Sequence, residues 1–173
     1  MNLRIKNTFI ENDVHIKDGV KIGSKGFGFI PENTNTTLTP HVGSLIIGEG
    51  TNIGSGCTID RGLIDQTLIG KYVMIDNQVH IAHNVKVGSG TAIAANSAIA
   101  GSTIVGKNCT MAGCSAIVDN VEITDEVHIT AKSLITKSIK ESGIYSSGTP
   151  FMKNSEWKKN AVTFIKLSEL AKK

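Results

Sequence analysis

The residue best placed to do chemistry is His83, in the segment Ile81-Ala82-His83-Asn84. It directly follows a repeating aliphatic position, where the chain is expected to turn a corner and point side chains outward. Gly101 comes 18 residues later, a spacing that stacks it next to His83. An imidazole base beside a free backbone N–H suits acyl transfer: the base removes a proton from the attacking group and the amide stabilises the oxyanion. The alternative is a corner histidine at a subunit contact.

Few other polar side chains accompany His83. Asp76 precedes it by about one six-residue unit, and its carboxylate could orient the imidazole and raise its basicity. Alternatively, Asp76 bonds to corner amides. His80 stands three residues before His83, where it faces a cleft or solvent. The remaining histidines have no companion residues in the sequence and are assigned no role: His15, His41 and His128.

The elements that position these residues follow from a repeat of six. An unbroken series of aliphatic residues occupies every sixth position from Ile69 to Ile135, and the same period occurs upstream. The residue two before each of these is small or β-branched, as in Cys57 and Cys109, which are expected in the core. The residue after is often Gly or Ala, and glycine there would permit a positive φ at a tight corner. The series is Ile69, Ile75, Ile81, Val87, Ile93, Ile99, Val105, Met111, Ile117, Ile123, Ile129 and Ile135.

A period of six fits neither a helix nor a simple strand. It fits a short strand plus a corner, and three such units close a triangular coil of 18 residues. The sequence therefore predicts an all-β parallel β-helix of about six coils over residues 1–140. The register breaks near 24–46 and 60–67, which predicts loop insertions on a binding face. Residues 141–173 form a C-terminal extension with a helix from about Ser155, because apolar residues recur there at helical spacing.

Composition narrows the class of protein. The 173 residues contain 40% hydrophobic and 5% aromatic residues, and no apolar run approaches the length of a membrane helix. The opening residues lack a secretory signal, and three cysteines without metal-ligand spacing fit a reducing compartment, so we expect a cytoplasmic protein. The last 21 residues hold six lysines and two glutamates, which suits either an acidic partner or a solvated helix face.

Five stretches in order resemble one family, the UDP-3-O-acylglucosamine N-acyltransferases of lipid A synthesis. The resemblance covers roughly Gly23 to the C-terminus. Its motifs are Gly26-Phe27-Gly28-Phe29, Thr58-Ile59-Asp60-Arg61-Gly62, Ile75 to Val85, Ile99-Ala100-Gly101-Ser102, and Tyr145-Ser146-Ser147-Gly148 followed by Trp157-Lys158-Lys159-Asn160-Ala161.

The resemblance implies a left-handed parallel β-helix and a homotrimer with active sites between subunits. It implies transfer of a 3-hydroxyacyl chain from acyl carrier protein to the 2-amine of a UDP-3-O-acylglucosamine. The 4'-phosphopantetheine thioester of the carrier would be a co-substrate, and no bound cofactor and no metal are expected. A basic C-terminal helix fits docking of an acidic carrier protein.

The resemblance also assigns roles to individual residues. His83 matches the general base and Gly101 the backbone oxyanion donor. The residues that it places in the substrate cleft are Asp76, Asn77, His80 and Asn84, with Phe27 and Phe29 in an aromatic loop and Leu134 where the acyl groove ends.

Two departures keep alternatives open. The N-terminal uridine-binding domain of the family is absent from this sequence, and the family's second histidine falls at Asn120. The starting Met1 favours a short natural relative over a trimmed enzyme. The alternatives are an acetyl- or acyl-CoA-dependent transferase acting on another nucleotide-linked amino sugar, and a β-helix scaffold without catalytic activity.

Overall fold

Short strands recur along almost the whole chain in the computed structural model, which describes residues 3–5, 7–31 and 36–167. One helix, α1, spans Asn154–Ile165. The strands are β1 Leu3–Ile5, β2 Thr8–Ile10, β3 His15–Ile16, β4 Lys21–Ser24, β5 Phe29–Pro31, β6 Thr36–Leu38, β7 Ser44–Ile47, β8 Asn52–Ile53, β9 Thr58–Asp60, β10 Gln66–Ile69, β11 Met74–Ile75, β12 His80–Ile81, β13 Lys86–Val87, β14 Ala92–Ile93, β15 Ala98–Ile99, β16 Ile104–Val105, β17 Thr110–Met111, β18 Ala116–Ile117, β19 Glu122–Ile123, β20 Val127–Ile129, β21 Leu134–Ile135 and β22 Gly143–Tyr145.

All of these strands except β5 and β6 stack into three sheets, and each coil contributes one strand to each sheet. The first sheet has the order β1-β2-β7-β10-β13-β16-β19, the second β22-β20-β17-β14-β11-β8-β3, and the third β21-β18-β15-β12-β9-β4. Between the second insertion and β21, paired residues lie 18 positions apart, as in Ile81 with Ile99, whereas β20 and β22 pair at a spacing of 16, as in His128 with Ile144. The coil of 18 residues and the count of about six coils are therefore confirmed.

The core is the stack of repeating aliphatic residues. All twelve from Ile69 to Ile135 are buried, and so are the small or β-branched residues two positions before them, including Cys109; Cys57, two positions before Ile59, is buried as well. The first coil is less well covered, since Ile16 remains 41% exposed. A terminal coil has a neighbour on only one side, so its aliphatic residues lose part of their packing.

The prediction about corner glycines was wrong. Positive φ falls on the third residue after most aliphatic positions, where Gln78, Asn84 and Ser102 have φ of 57°, 61° and 60°. Apart from Gly23, with φ of 69°, the glycines directly after the aliphatic position have no positive φ and serve close approach instead. A Cβ on Gly88 would stand 2.4 Å from the carbonyl carbon of Gly106 in the next coil.

The stacked triangular coils form a prism with one sheet on each face. Both insertions leave this prism where the chain passes from the third sheet to the first. The first follows β4 and contains the antiparallel hairpin of β5 and β6. The second lies between β9 and β10 and covers residues 61–65. Segment 82–85, which contains His83, makes the same passage in a later coil, so the insertions and His83 share one corner. We call it the histidine corner.

The predicted C-terminal helix is confirmed as α1, which begins at Asn154. None of its residues is buried, and Trp157 and Phe164 remain 47% and 71% exposed. The last part of the predicted C-terminal extension, residues 168–173, lies outside the described residues. Within the described ranges, no helix is long and apolar enough to cross a membrane.

Candidate functional site at the histidine corner

Gly101 lies directly against the imidazole of His83. A Cβ added to Gly101 would stand 3.0 Å from both Cε1 and Nε2 of His83. The two residues occupy the same position in successive coils, and the N–H of Ser102 donates to the carbonyl of His83 at 3.0 Å. The absence of a side chain at position 101 therefore leaves the space that the His83 ring fills.

Asn84 fixes the chemical form of the neutral His83 ring. Its Oδ1 accepts the backbone N–H of Leu63 at 2.9 Å and lies 3.0 Å from Nδ1 of His83. Because an amide oxygen only accepts, Nδ1 must carry the hydrogen of the neutral ring. Nε2, the nitrogen on the Gly101 side, is left with its lone pair. This is the tautomer that a general base at this position requires.

Gly101 also contributes an unpaired backbone donor to this corner. Within the part of the chain that the structure describes, no acceptor is found for the N–H of Gly101, although its carbonyl accepts the N–H of Asn120 at 3.1 Å. Asn120 lies one coil further along the histidine corner, exposed, and its side-chain amide donates to Asp119. The corner thus combines a ring nitrogen that can accept a proton with a residue, Gly101, whose N–H has no acceptor among the described residues.

His41 belongs to this site, although it was assigned no role from the sequence. Its ring lies 5.1 Å from that of His83, centroid to centroid, in an edge-to-face arrangement at 68°. It is 2% exposed, and Nδ1 lies 3.0 Å from the carbonyl of Thr39, which can only accept. The signal that could have identified His41 was the register of the six-residue repeat. It shows that the insertion carrying His41 leaves the coil at the same corner as His83.

Asp60 adds a buried carboxyl group beside the histidines. Burial raises the pKa of Asp60 above its ordinary value, and the nearby His80, His41 and His83 oppose this shift in that order. Oδ2 of Asp60 lies 4.0 Å from Nε2 of His80, whose Nδ1 faces Oγ1 of Thr58 at 2.7 Å. Asp60 was not among the site residues predicted from the sequence; its place at the end of β9, before the second insertion, was the available signal.

The aromatic loop starts on top of the two imidazoles. A Cβ on Gly26 would stand 2.8 Å from Nε2 of His41 and 2.9 Å from Cβ and Cδ2 of His83. Phe27 and Phe29 follow, both exposed, with their rings 5.7 Å apart. Only a residue without a side chain fits at position 26 while the rings hold these places.

Two other predicted site residues, Asp76 and Asn77, lie away from His83 in the fold. Asp76 and Asn77 are at the corner between the second and third sheets, where Oδ1 of Asp76 accepts the N–H of Asn77 and Oδ1 of Asn77 accepts that of Ser55. Among the described residues, no hydrogen bond or ion pair joins Asp76 to His83. Asp76 instead lines a cleft of about 500 Å³ on the second sheet.

Leu134 lies on the outer surface of the third sheet, in the same column as His80. The residues paired between them are Ala98 and Ala116, and Leu134 itself is 51% exposed. Three strand spacings separate the two ends, or about 14 Å. Two small side chains therefore lie between two larger ones and leave a shallow groove. The groove runs along the third sheet from His80, which directly precedes the histidine corner segment, toward the C-terminal end of the stack.

The described residues contain no group of three His, Cys, Asp or Glu side chains suited to a metal ion.

Known proteins resemble the chain in both sequence and fold. Residues 66–101 match the family described as bacterial transferase hexapeptide (six repeats). A UDP-3-O-acylglucosamine N-acyltransferase of Hahella chejuensis is 45% identical over 158 residues, which make up 91% of this chain and 45% of that protein. The chain therefore spans less than half the length of this relative.

Solved structures agree on the architecture. The UDP-N-acetylglucosamine O-acyltransferase of Moraxella catarrhalis has a TM-score of 0.71 at 24% identity, covering 89% of this chain and 60% of that one. LpxA of Acinetobacter baumannii has a TM-score of 0.64 at 23% identity, covering 86% and 59%. These structures support the fold. The chain is a left-handed β-helix of hexapeptide repeats, related in sequence over nine-tenths of its length to the UDP-3-O-acylglucosamine N-acyltransferases, as its motifs predicted.

Proposed function

We propose that the chain carries the catalytic β-helix of an N-acyltransferase, which moves a 3-hydroxyacyl chain from acyl carrier protein to the 2-amine of a UDP-3-O-acylglucosamine. The observation that carries the proposal is the geometry of His83, held through Nδ1 by Asn84 with Nε2 against Gly101. The UDP-3-O-acylglucosamine N-acyltransferase of Hahella chejuensis, 45% identical to this chain, supports the same reaction class.

In the proposed reaction the amine nitrogen attacks the thioester carbonyl, and Nε2 of His83 takes the proton that the nitrogen loses. The carbonyl oxygen becomes an oxyanion and accepts the N–H of Gly101. Collapse of this intermediate re-forms the carbonyl, breaks the C–S bond and releases the thiolate of phosphopantetheine, which takes the proton from His83. The products are an amide and a thiol, and no covalent enzyme intermediate is needed.

The surface offers support for the remaining parts of the proposal. Over the described residues 153–167, helix α1 and its flanks present exposed lysines at 153, 158, 159 and 166 and one acidic residue, Glu156, which suits an acidic carrier protein. The groove that ends at Leu134 suits an acyl chain. Asp76 and Asn77 are remote from His83 within one chain, so we place them in the site through a homotrimer, where a neighbouring subunit would bring its own corner across the cleft.

A transfer assay tests the proposal. Purified protein is incubated with a 3-hydroxyacyl-carrier protein and a UDP-3-O-acylglucosamine, and the product is measured by mass. We expect His83→Ala to reduce the rate by roughly 100- to 10,000-fold, the usual contribution of a general base. Lys107→Ala is the matched control, because Lys107 is exposed and occupies the same position at a different corner.

Two outcomes would contradict the proposal. Retained activity in His83→Ala would remove the histidine from the mechanism. No product from the unaltered protein would point to another donor or acceptor, and a panel of CoA thioesters and nucleotide-linked amino sugars would then be tried. Sedimentation of both variants shows whether any loss arises from the oligomeric state instead.

A further inference from the structure

The second imidazole at the histidine corner has a role that the proposed mechanism leaves open. We infer that His41 is a positioning residue for His83: its anchored ring sets the rotation of the His83 imidazole, so that Nε2 faces Gly101. The activity part of this inference rests on the proposed function, whereas its structural part does not.

The His83 ring is confined by contacts on three sides. Asn84 holds Nδ1, Gly101 lies over Cε1 and Nε2, and Gly26 lies against Cβ and Cδ2. Neither glycine offers a side chain that could stop the ring from turning. The edge-to-face contact with His41 is the one ring–ring contact of His83 among the described residues, and it restricts rotation about the Cβ–Cγ bond.

His41 can restrict rotation of the His83 ring because its own ring is fixed. Nδ1 donates to the carbonyl of Thr39 at 3.0 Å, and Nε of Arg61 donates to the His41 carbonyl at 2.9 Å. The ring is almost completely buried, so solvent does not compete for these bonds. Ring and backbone of His41 are therefore both held by hydrogen bonds to residues other than His83.

The other nitrogen of His41 shows that stability alone does not explain the residue. Nε2 is buried and finds no hydrogen-bond partner within the described residues. A buried acceptor without a donor is unfavourable. It is also the atom nearest to the empty Cβ position of Gly26. A fixed ring at this place is useful to His83, and the unpaired nitrogen is the consequence of anchoring that ring through Nδ1.

Substitutions can separate the ring from its anchor. His41→Phe keeps an aromatic ring beside His83 but loses the bond to Thr39. His41→Asn keeps a donor at the place of Nδ1 but loses the ring. His41→Ala loses both. If the ring positions His83 and burial is enough to hold that ring without the Thr39 bond, the Phe variant should resemble the unaltered protein, and the Asn variant should resemble the Ala variant.

The first readout requires no substrate. Two-bond ¹H–¹⁵N NMR spectra of the folded full chain report the tautomer of His83, whose signals are assigned by their loss in His83→Ala. We expect the Nδ1–H form in the unaltered protein and in His41→Phe. In His41→Asn and His41→Ala we expect shifts averaged between the two tautomers, because the ring can turn away from Asn84.

The second readout is activity. We expect kcat to fall roughly 10- to 100-fold in the Asn and Ala variants, with KM within about twofold, since misplacement of a reacting group acts on the chemical step. The Phe variant should stay within about threefold of the unaltered kcat. Melting temperatures of all variants show whether kcat simply follows stability.

Several results would overturn the inference. These are an unchanged His83 tautomer in both the Asn and Ala variants, a kcat that follows the melting temperature across the series, or an Asn variant that outperforms Phe. If the unaltered protein shows no transfer at all, the proposed function fails, and the NMR spectra alone decide whether His41 positions His83.

Discussion

A methyl group on Gly101 would stand 3.0 Å from Cε1 and Nε2 of His83, closer than such groups normally pack. Either the ring or the corner must then move. Gly101 has no positive φ, so alanine brings no backbone strain there. We therefore expect Gly101→Ala to reduce transfer by roughly 100-fold through misplacement of the imidazole, with little change in the melting temperature.

Gly113→Ala is the matched control for this prediction. Gly113 follows an aliphatic position by two residues, as Gly101 does, but its Cβ would meet only the carbonyl oxygen of Ala95 at 3.4 Å, an ordinary contact. Steady-state kinetics and thermal unfolding of both variants provide the measurement. Equal activities for the two variants would show that the contact with His83 is unimportant.

Asn84 should matter through its side-chain oxygen. Asn84→Gly removes the acceptor for Nδ1 of His83 and for the N–H of Leu63, while glycine accepts the φ of 61°. We expect kcat to fall roughly 10- to 100-fold. Asn84→Asp retains an acceptor and should be less impaired. The reverse order, measured by the same transfer assay, would contradict the proposed orientation of the ring.

Leu134 should influence the length of the acyl chain. Ala98 and Ala116 leave the groove open between His80 and Leu134, which is the next large side chain in the column. We expect Leu134→Ala to shift the preference toward longer chains, and Leu134→Trp toward shorter ones. Competition between carrier-bound chains of different lengths, with products separated by mass, measures the ratio. An unchanged ratio in both variants would place the chain elsewhere.

Asp60 should make stability depend on pH. Burial raises the pKa of Asp60, so the folded chain holds this proton more tightly than the unfolded chain does. The contribution of Asp60 to the free energy of unfolding therefore decreases as pH rises from its ordinary value of 3.8 through the folded pKa. Asp60→Asn has no such proton, so its melting temperature should rise relative to that of the unaltered protein as the pH increases across this window. A difference independent of pH would count against this prediction.

The stack of repeating aliphatic residues in the core, which we call the aliphatic ladder, should contribute much of the stability. Ile93 is 1% exposed and stacks between Ile75 and Met111, so Ile93→Ala leaves a cavity between packed coils. We expect a loss of about 2–5 kcal/mol in the free energy of unfolding, and about 0.5–1.5 kcal/mol for Ile93→Val. Ile16, 41% exposed in the first coil, is the control, and its replacement by alanine should cost less. Urea unfolding monitored by circular dichroism checks the order.

The period of six was enough to predict the prism, because each coil repeats the same local solution. An aliphatic residue points inward, a small residue precedes it, and a corner follows; the next coil then pairs with the last at a spacing of 18. The neighbours of a residue in such a stack are therefore countable from the sequence. That is why the contact between His83 and Gly101 could be predicted before the fold was known.

The corners were harder to predict, since glycine has two different uses there. The sequence shows glycine after many aliphatic positions, but only packing shows that Gly88 avoids the backbone of the next coil rather than adopting a positive φ. The positive φ values fall on Asn84, Ser102 and equivalent residues. Asparagine tolerates that conformation because its short polar side chain can form local hydrogen bonds.

The amino-acid sequence by itself determined the architecture, the inward ladder and the stacking of Gly101 on His83, because all three depend on a constant number of residues per coil. The tertiary structure alone decided what the irregular segments do. It placed His41 and Gly26 against His83, buried Asp60 among three histidines, and separated Asp76 from them. Insertions have no fixed period, so their ends fold back according to packing and hydrogen bonding that residue spacing does not encode.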